Sequence, residues 1–350
     1  MTQPVTILSL ATKNPPHILR QDDALEIGRE LLGMAFDDFE RMTAVYVNAG
    51  VDVRQLARPA DWYRRSHSFP ERTAAYLEVA LDLFVAAASQ ALADAGLDGG
   101  DVDTIVTVSS TGISTPSLEA RAMAQMGFRG DVSRVPVFGL GCAGGVTGLG
   151  LAAKLARATP GSTVLFVTVE LCSLTLRTEN VDKADIISTA LFGDGAAACV
   201  VRCGDEGFVQ IAGTAETIWP DTLDIMGWRM EQDGLGVVLN RAIPAFARRH
   251  MREAMTRMLE REGLRIDDID RFICHPGGAK VVDALETALA LGQGSLDHER
   301  EVLRLHGNMS APTALFVLDR IRARELPPLS VLTALGPGFT ASTVTLKRAA

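Results

Sequence analysis

Cys142 stands in Gly139-Leu140-Gly141-Cys142-Ala143-Gly144-Gly145, where small neighbours on both sides leave room for a second molecule to reach the sulfur. The apolar run before it, Val135 to Phe138, reads as a short buried strand, and the glycine-rich run after it reads as a helix. A thiol at a helix N-terminus meets the positive end of the helix dipole, which lowers its pKa and raises its thiolate fraction. The chemistry on offer is that of a reactive sulfur nucleophile. The competing reading is a buried structural cysteine, the commoner use of a free thiol.

A thiol needs a base and its product needs hydrogen-bond donors. Of the six histidines, His17, His67, His250 and His298 sit in charged, loop-like or helical contexts and read as solvated. His275 differs. It ends the apolar strand Phe272-Ile273-Cys274, and Pro276-Gly277-Gly278 then turns the chain, presenting the ring at the strand's C-terminal edge. Ligand sites of α/β sheets lie at that edge. His306 competes, being two residues before Asn308. Asn308, in Gly307-Asn308-Met309-Ser310-Ala311, is either a helix N-cap or part of a site.

The elements that must position these residues repeat along the chain. Gly96 recurs as Gly263 and Asp103 as Asp270, a common offset of 167 residues, each time just ahead of an apolar strand. The same offset lays Gly141-Cys142 on Asn308-Met309 and Val164-Leu165-Phe166 on Val331-Leu332-Thr333. Strands such as Thr163 to Val169 are apolar throughout, as strands covered on both faces must be. They alternate with helical stretches at Ala80 to Ala95 and Val281 to Leu291. This predicts an α/β protein of two halves related by a pseudo-dyad, 1–205 carrying the nucleophile and 206–350 carrying His275 and Asn308. The dyad brings Cys142 and Asn308 to one site. Small residues along Val146 to Ala158 predict a second helix packed closely on that one at the centre. The first 70 residues read as a cap, with amphipathic helices at Asp22 to Leu32 and Ala35 to Asn48.

Composition sets the outer limits. The chain has 350 residues, 47% hydrophobic and 22% charged, which describes a soluble globular protein with a large core. A net charge of -9 without a lysine-rich block argues against nucleic acid. Five scattered cysteines, at 142, 172, 199, 203 and 274, form no CxxC pair and no zinc spacing, so no metal is expected and a reducing cytoplasm is. The N-terminus lacks a basic signal-peptide region. Pro136 to Ala153 is nearly free of polar side chains, yet its glycines and the closing Lys154 and Arg157 favour a strand and a buried helix over a membrane span.

Gly141-Cys142-Ala143-Gly144-Gly145, Leu191-Phe192-Gly193-Asp194-Gly195, His275-Pro276-Gly277-Gly278, Gly307-Asn308-Met309-Ser310 and Gly336-Pro337-Gly338 together resemble type III polyketide synthases, the chalcone synthase superfamily. The motifs stand in that family's order, and the resemblance spans nearly the whole chain. It implies a thiolase-like fold, a duplicated αβαβα architecture. It implies that Cys142, a thiolate held by imidazolium His275, takes an acyl group from acyl-CoA. His275 and the Asn308 amide then stabilise the enolate left when malonyl-CoA loses carbon dioxide. Phe192 corresponds to the gatekeeper that desolvates the malonyl carboxylate. No cofactor is implied. A homodimer is, with the loop Gly112-Ile113-Ser114-Thr115-Pro116 at the contact and Thr115-Pro116 a candidate cis bond.

The resemblance also assigns a pocket: Ser110, Thr111, Cys172, Thr175, Gly227, Val237 and Ser310. Cys172 stands where plant enzymes carry threonine, and Val237 where they carry a second phenylalanine. Both changes imply a wider, more apolar pocket, like that of bacterial enzymes making alkylpyrones or alkylresorcinols from fatty acyl starters. For CoA it implies Arg41, Gly277 and Lys280, with Asp38 and Val45 replacing family lysines. Arg54, Arg58, Arg64, Arg65 and Arg72 form a basic run that serves either CoA phosphates or a solvated surface. Two alternatives stay open. One is a single-round ketoacyl synthase, which should show His-Gln-Ala-Asn where this chain has His275-Pro276-Gly277-Gly278. The other is a cysteine acyl hydrolase or inactive acyl-binding scaffold.

Overall fold

The computed structural model describes residues 3–348 apart from 34–38, 178–180, 233 and 325. In the first half the strands are β1 (Val5–Lys13), β2 (His17–Arg20), β3 (Val53–Leu56), β4 (Thr104–Val108), β5 (Ser133–Val137), β6 (Thr163–Leu171) and β7 (Asp194–Cys203). Its helices are α1 (Gln21–Leu32), α2 (Phe39–Met42), α3 (Ala44–Asn48), α4 (Phe69–Asp94), α5 (Leu118–Met126), α6 (Gly144–Ala158) and α7 (Lys183–Leu191). The second half has β8 (Val209–Ile218), β9 (Met226–Glu231), β10 (Gly234–Leu239), β11 (Arg271–Cys274), β12 (Leu329–Gly336) and β13 (Thr340–Arg348). Its helices are α8 (Ile243–Glu260), α9 (Ala279–Ala288), α10 (Asp297–His306) and α11 (Thr313–Arg322).

Nine strands form one sheet in the order β11-β12-β13-β8-β1-β7-β6-β4-β5. Its centre, between β1 and β8, is the pseudo-dyad. Outward on one side run β1, β7, β6 and β4; outward on the other run β8, β13, β12 and β11, with the same alternation of antiparallel and parallel pairs. The half-sheets close on α6 and α11, whose apolar faces share one core with strands of both halves. Helix α4 covers the outer face of the first half, and α8 and α9 that of the second. The result is the thiolase-like αβαβα layering.

Several expectations change in detail. β1 is no part of a cap: it lies mid-sheet, paired with both β7 and β8. The duplication slips by one residue, since Thr104 pairs with Val164 but Arg271 pairs with Ser330. The second cap helix is two short ones, α2 and α3, and Ala35 to Asp38 lie outside the described residues. β5 is not buried; it is the sheet's edge, and Phe138 beyond it is 48% exposed. The close helix contact is made by Gly144 and Gly145, not further along: a Cβ on Gly145 would lie 2.1 Å from Ala311 O on the approach to α11. Gly148 instead leaves room for the Phe166 ring.

The apolar run 136–153 resolves into the end of β5, a turn and the largely buried α6. Among the described residues one helix, α4, is long and apolar enough to cross a membrane. A Ser68–Glu71 capping box starts it, and its Ala80, Phe84, Ala87, Ala88 and Ala91 are buried against the sheet.

Candidate active site

The three sequence-marked residues all line a single cavity of about 400 Å³. Cys142 arrives on a one-turn 3-10 helix, Gly141–Ala143, that leads into α6. Gly141 has φ +48, and a Cβ there would lie 2.7 Å from the Pro337 ring, so glycine is required at this turn. Its N–H donates to Ser110 Oγ at 3.1 Å. His275 follows β11, anchored by its N–H to Thr333 O at 2.8 Å. Asn308 precedes α11. Its side chain is oriented by both ends: Oδ1 accepts from Ser310 N–H at 2.8 Å, and Nδ2 donates to Gly277 O at 3.3 Å. Nδ2 also lies within hydrogen-bonding reach of the Cys142 sulfur.

Electrostatics departs from the expected ion pair. Burial pushes the Cys142 thiol up to about 11, while hydrogen bonding by Ser310 and Asn308 pulls it down and the Glu170 carboxylate pushes it further up. Desolvation thus outweighs the helix N-terminus. Burial holds His275 down to about 4, and neither of its ring nitrogens has a hydrogen-bond partner among the described residues. In the empty site both groups rest neutral. Moving the thiol proton to the imidazole gives each charge the counter-charge it lacks, so ionisation of the pair costs less than ionisation of either group alone.

The walls divide by chemistry. Ile187, Leu191, Val237, Val238, Leu239 and Ile243 make the interior apolar, and Cys172, Met226 and Leu335 complete it. Asn48, Asn240, Arg241 and Lys280 add polar side chains to the lining. Phe192 lines the cavity with its ring edge-on to Trp228, centroids 6.4 Å apart. Trp228 is the cross-strand partner of Val237 in the β9–β10 hairpin. An aromatic ring on the facing strand thus lines the cavity beside position 237.

Gly227, Gly277, Lys280 and Ser310 line the cavity, whereas Ser110, Thr111 and Thr175 lie behind its wall. Ser110 N–H and Thr111 Oγ1 donate to the buried Glu170 carboxylate, at 3.0 and 2.7 Å, and Thr175 Oγ1 donates to Cys172 O at 2.7 Å. Arg41, exposed on α2, is not among the lining residues. Two arginines of the basic run are engaged inside the protein and two more are paired at its surface. Arg54 is 1% exposed and donates to Ala190 O at 3.1 Å and to Gln21 Oε1; Arg72 donates to His67 O at 2.9 Å and Leu174 O at 3.0 Å. Arg58 and Arg64 pair with Glu78 and Glu30. His67 is buried and stacked on Trp62, not solvated. His306 bonds Gln55 Oε1 at 2.9 Å and faces a different cleft. Trp228 falls in the segment 224–237 that the resemblance marks as a pocket wall, whereas Arg241 was missed, its only signal being nearness to Val237 in sequence.

Comparison with known proteins covers the whole arrangement. The family model for chalcone and stilbene synthases matches in two parts, its N-terminal domain over residues 59–205 and its C-terminal domain over 210–350. A 1,3,6,8-tetrahydroxynaphthalene synthase of Streptomyces peucetius subsp. caesius is 40% identical, over 98% of this chain and 93% of its own length. An alpha-pyrone synthesis polyketide synthase-like protein of Mycobacterium tuberculosis is 28% identical over 97% of this chain and 90% of its own. The crystal structure of 1,3,6,8-tetrahydroxynaphthalene synthase from Streptomyces coelicolor A3(2) superposes with a TM-score of 0.93 at 27% identity, covering 99% of both chains.

Proposed function

We propose that this chain, which belongs to the chalcone and stilbene synthase family and is a type III polyketide synthase, extends fatty acyl starters into alkylpyrones or alkylresorcinols. Enzymes of this kind condense acyl-CoA with malonyl-CoA by decarboxylative Claisen chemistry. In our reading Cys142 is the nucleophile. As it attacks the starter thioester, its proton passes to His275, the carbon–sulfur bond to CoA breaks, and CoA leaves as a thiol once reprotonated. Malonyl-CoA enters next. His275 N–H and the Asn308 amide hold its thioester oxygen while carbon dioxide leaves. The enolate carbon bonds to the acyl carbon on Cys142, the bond from that carbon to Sγ breaks to free the thiolate, and the chain, two carbons longer, is left on CoA. Phe192 presents an apolar face to the carboxylate, which favours its loss.

One observation carries the starter class: the cavity that holds Cys142 is lined mainly by aliphatic side chains. Each methylene buried there contributes about 0.8 kcal/mol. Incubation with labelled malonyl-CoA and acyl-CoA starters of graded length tests it. Alkyl-bearing products whose yield rises with starter length support the reading, and Cys142→Ala should abolish them while still releasing part of the carbon dioxide. The relative that is 40% identical favours a second reading, since a naphthalene oxygenated on alternate carbons is a skeleton malonyl units alone can supply. A tetrahydroxynaphthalene made from malonyl-CoA alone would decide for it.

We also propose a homodimer. Edge strand β5, with Phe138 and, in loop 112–116, Ile113 each 48% exposed, supports a contact there. The Thr115-Pro116 bond in that loop is cis. A monomer by light scattering at micromolar concentration would overturn this.

A further inference from the structure

Helix α8 starts at the cavity: Arg241 just before it, and Ile243 and Pro244 in its first turn, all line the site. Its inner face, with Ala247, Met251, Ala254, Met255 and Met258, is buried in the core. Arg248 and Arg252 stand one turn apart on α8 with Arg249 beside them, and all three are exposed, as is Arg241 just ahead of the helix. Glu253 and Arg257 pair with each other at 3.1 Å on another side of the helix. Among the described residues no ion pair or hydrogen bond is made by the guanidinium groups of these four arginines. Elsewhere many arginines are committed, such as Arg58 to Glu78, Arg300 to Glu286 and Arg304 to Asp52. A protein of net charge -9 thus keeps an uncompensated cationic stripe leading away from its reactive thiol. On α3, whose Ala44, Val45 and Asn48 line the same cavity, Val47 is 80% exposed and adds an apolar contact.

From this surface we infer a docking site for an acidic acyl carrier protein that delivers the starter on its phosphopantetheine arm. The inference rests on the reading that the cavity takes a fatty acyl thioester. The stripe runs roughly 10–16 Å along α8 beyond Arg241, further than a nucleotide held at the entrance needs. It matches an extended acidic face, and an apolar spot within a charged rim is ordinary interface anatomy. The chemistry is thioester exchange. A bond forms between Cys142 Sγ and the acyl carbon, the bond from that carbon to the phosphopantetheine sulfur breaks, and the thiol proton ends on the departing carrier thiol. No oxidant or reductant is needed.

The test compares octanoyl groups carried on a fatty-acid-synthesis acyl carrier protein, on CoA and on N-acetylcysteamine, each with malonyl-CoA. Wild type should have a higher kcat/KM for the carrier-bound starter than for the N-acetylcysteamine thioester, and added salt should erase the difference. The triple variant Arg248→Glu, Arg249→Glu, Arg252→Glu should lose roughly tenfold or more on the carrier-bound starter. It should keep its rate on the N-acetylcysteamine thioester, showing that the fold is intact. Equal use of carrier and N-acetylcysteamine by wild type, or an unaffected triple variant, would overturn the proposal. So would a stripe needed only for sedimentation with phosphatidylglycerol vesicles. If neither protein extends the N-acetylcysteamine thioester, the fatty-starter reading fails and this proposal with it.

Discussion

Phe192 and Asn308, from opposite halves of the chain, are joined backbone to backbone as a parallel bridge. Asn308 N–H donates to Leu191 O at 2.8 Å, and Gly193 N–H donates to Asn308 O at 3.0 Å. The aromatic wall and the amide that faces the ligand therefore move as one piece. Their spacing is set by backbone hydrogen bonds rather than by side-chain packing, which is the kind of preorganisation an oxyanion donor needs.

Gly193 permits that bridge. A Cβ there would lie 2.2 Å from His306 O, a backbone atom that cannot swing aside. Gly193→Ala should push the two segments apart. The expected outcome is a loss of malonyl-CoA decarboxylation of about tenfold or more with Cys142 still open to alkylation. Unchanged carbon dioxide release would show that the bridge does not position Asn308.

The neutral resting pair makes a pH prediction. With burial holding Cys142 up at about 11 and His275 down at about 4, a thiolate at neutral pH depends on proton transfer between them. In His275→Ala the thiol titrates alone, so inactivation by iodoacetamide should reach half its plateau at a higher pH than in wild type. Coincident profiles would remove His275 from the role of base.

Two buried carboxyls behind the site should make stability fall as pH rises. Glu170 is held at about 8 against an ordinary 4.5, and Asp194 at about 7 against 3.8, in both cases chiefly by burial. The native state keeps protons that the unfolded chain has released. Their stabilising contribution is full below the unfolded values and is lost as pH climbs through the folded ones, about 1.4 kcal/mol for each unit. Glu170→Gln cannot ionise, so its Tm should drop less than that of wild type between about pH 5 and 8. Equal slopes in thermal melts would mean that Glu170 is ionised in the fold.

What could be read from the chain alone was what is marked locally. Cys142 and His275 each follow an apolar segment, and both they and Asn308 sit in a glycine-marked turn, so each announced itself within a few residues. The repeat gave the dyad through β4 and β11, whose flanking turns are alike, but missed β1, whose likeness to β8 lies in topology and not in residues. Arg54 and Arg72 looked like a surface because the carbonyls that bind them come from distant segments. That Trp228 sits beside Val237 comes from pairing across a hairpin, which the order of residues does not display. The thiol's pKa went the wrong way for the same reason: a helix end is visible in sequence, and depth of burial is not.

Cys172 decides between a tunnel and a wall. It is 2% exposed, and with Phe192 it forms the partition between the main cavity and a smaller apolar chamber of about 60 Å³ beneath Ala24, Ile27 and Leu31 of α1. A long acyl tail that passes this partition gains about 0.8 kcal/mol for each methylene buried. Cys172→Phe would fill the passage with a rigid ring while leaving Cys142, His275 and Asn308 in place. Activity on long-chain acyl-CoA should then fall steeply and activity on acetyl-CoA should survive. Overpacking a core typically costs about 1–3 kcal/mol, so the Tm of the variant must be read alongside. A lowered Tm with both substrate classes reduced equally would make Cys172 a packing residue, and the fatty-starter reading would lose the side of the cavity on which it most depends.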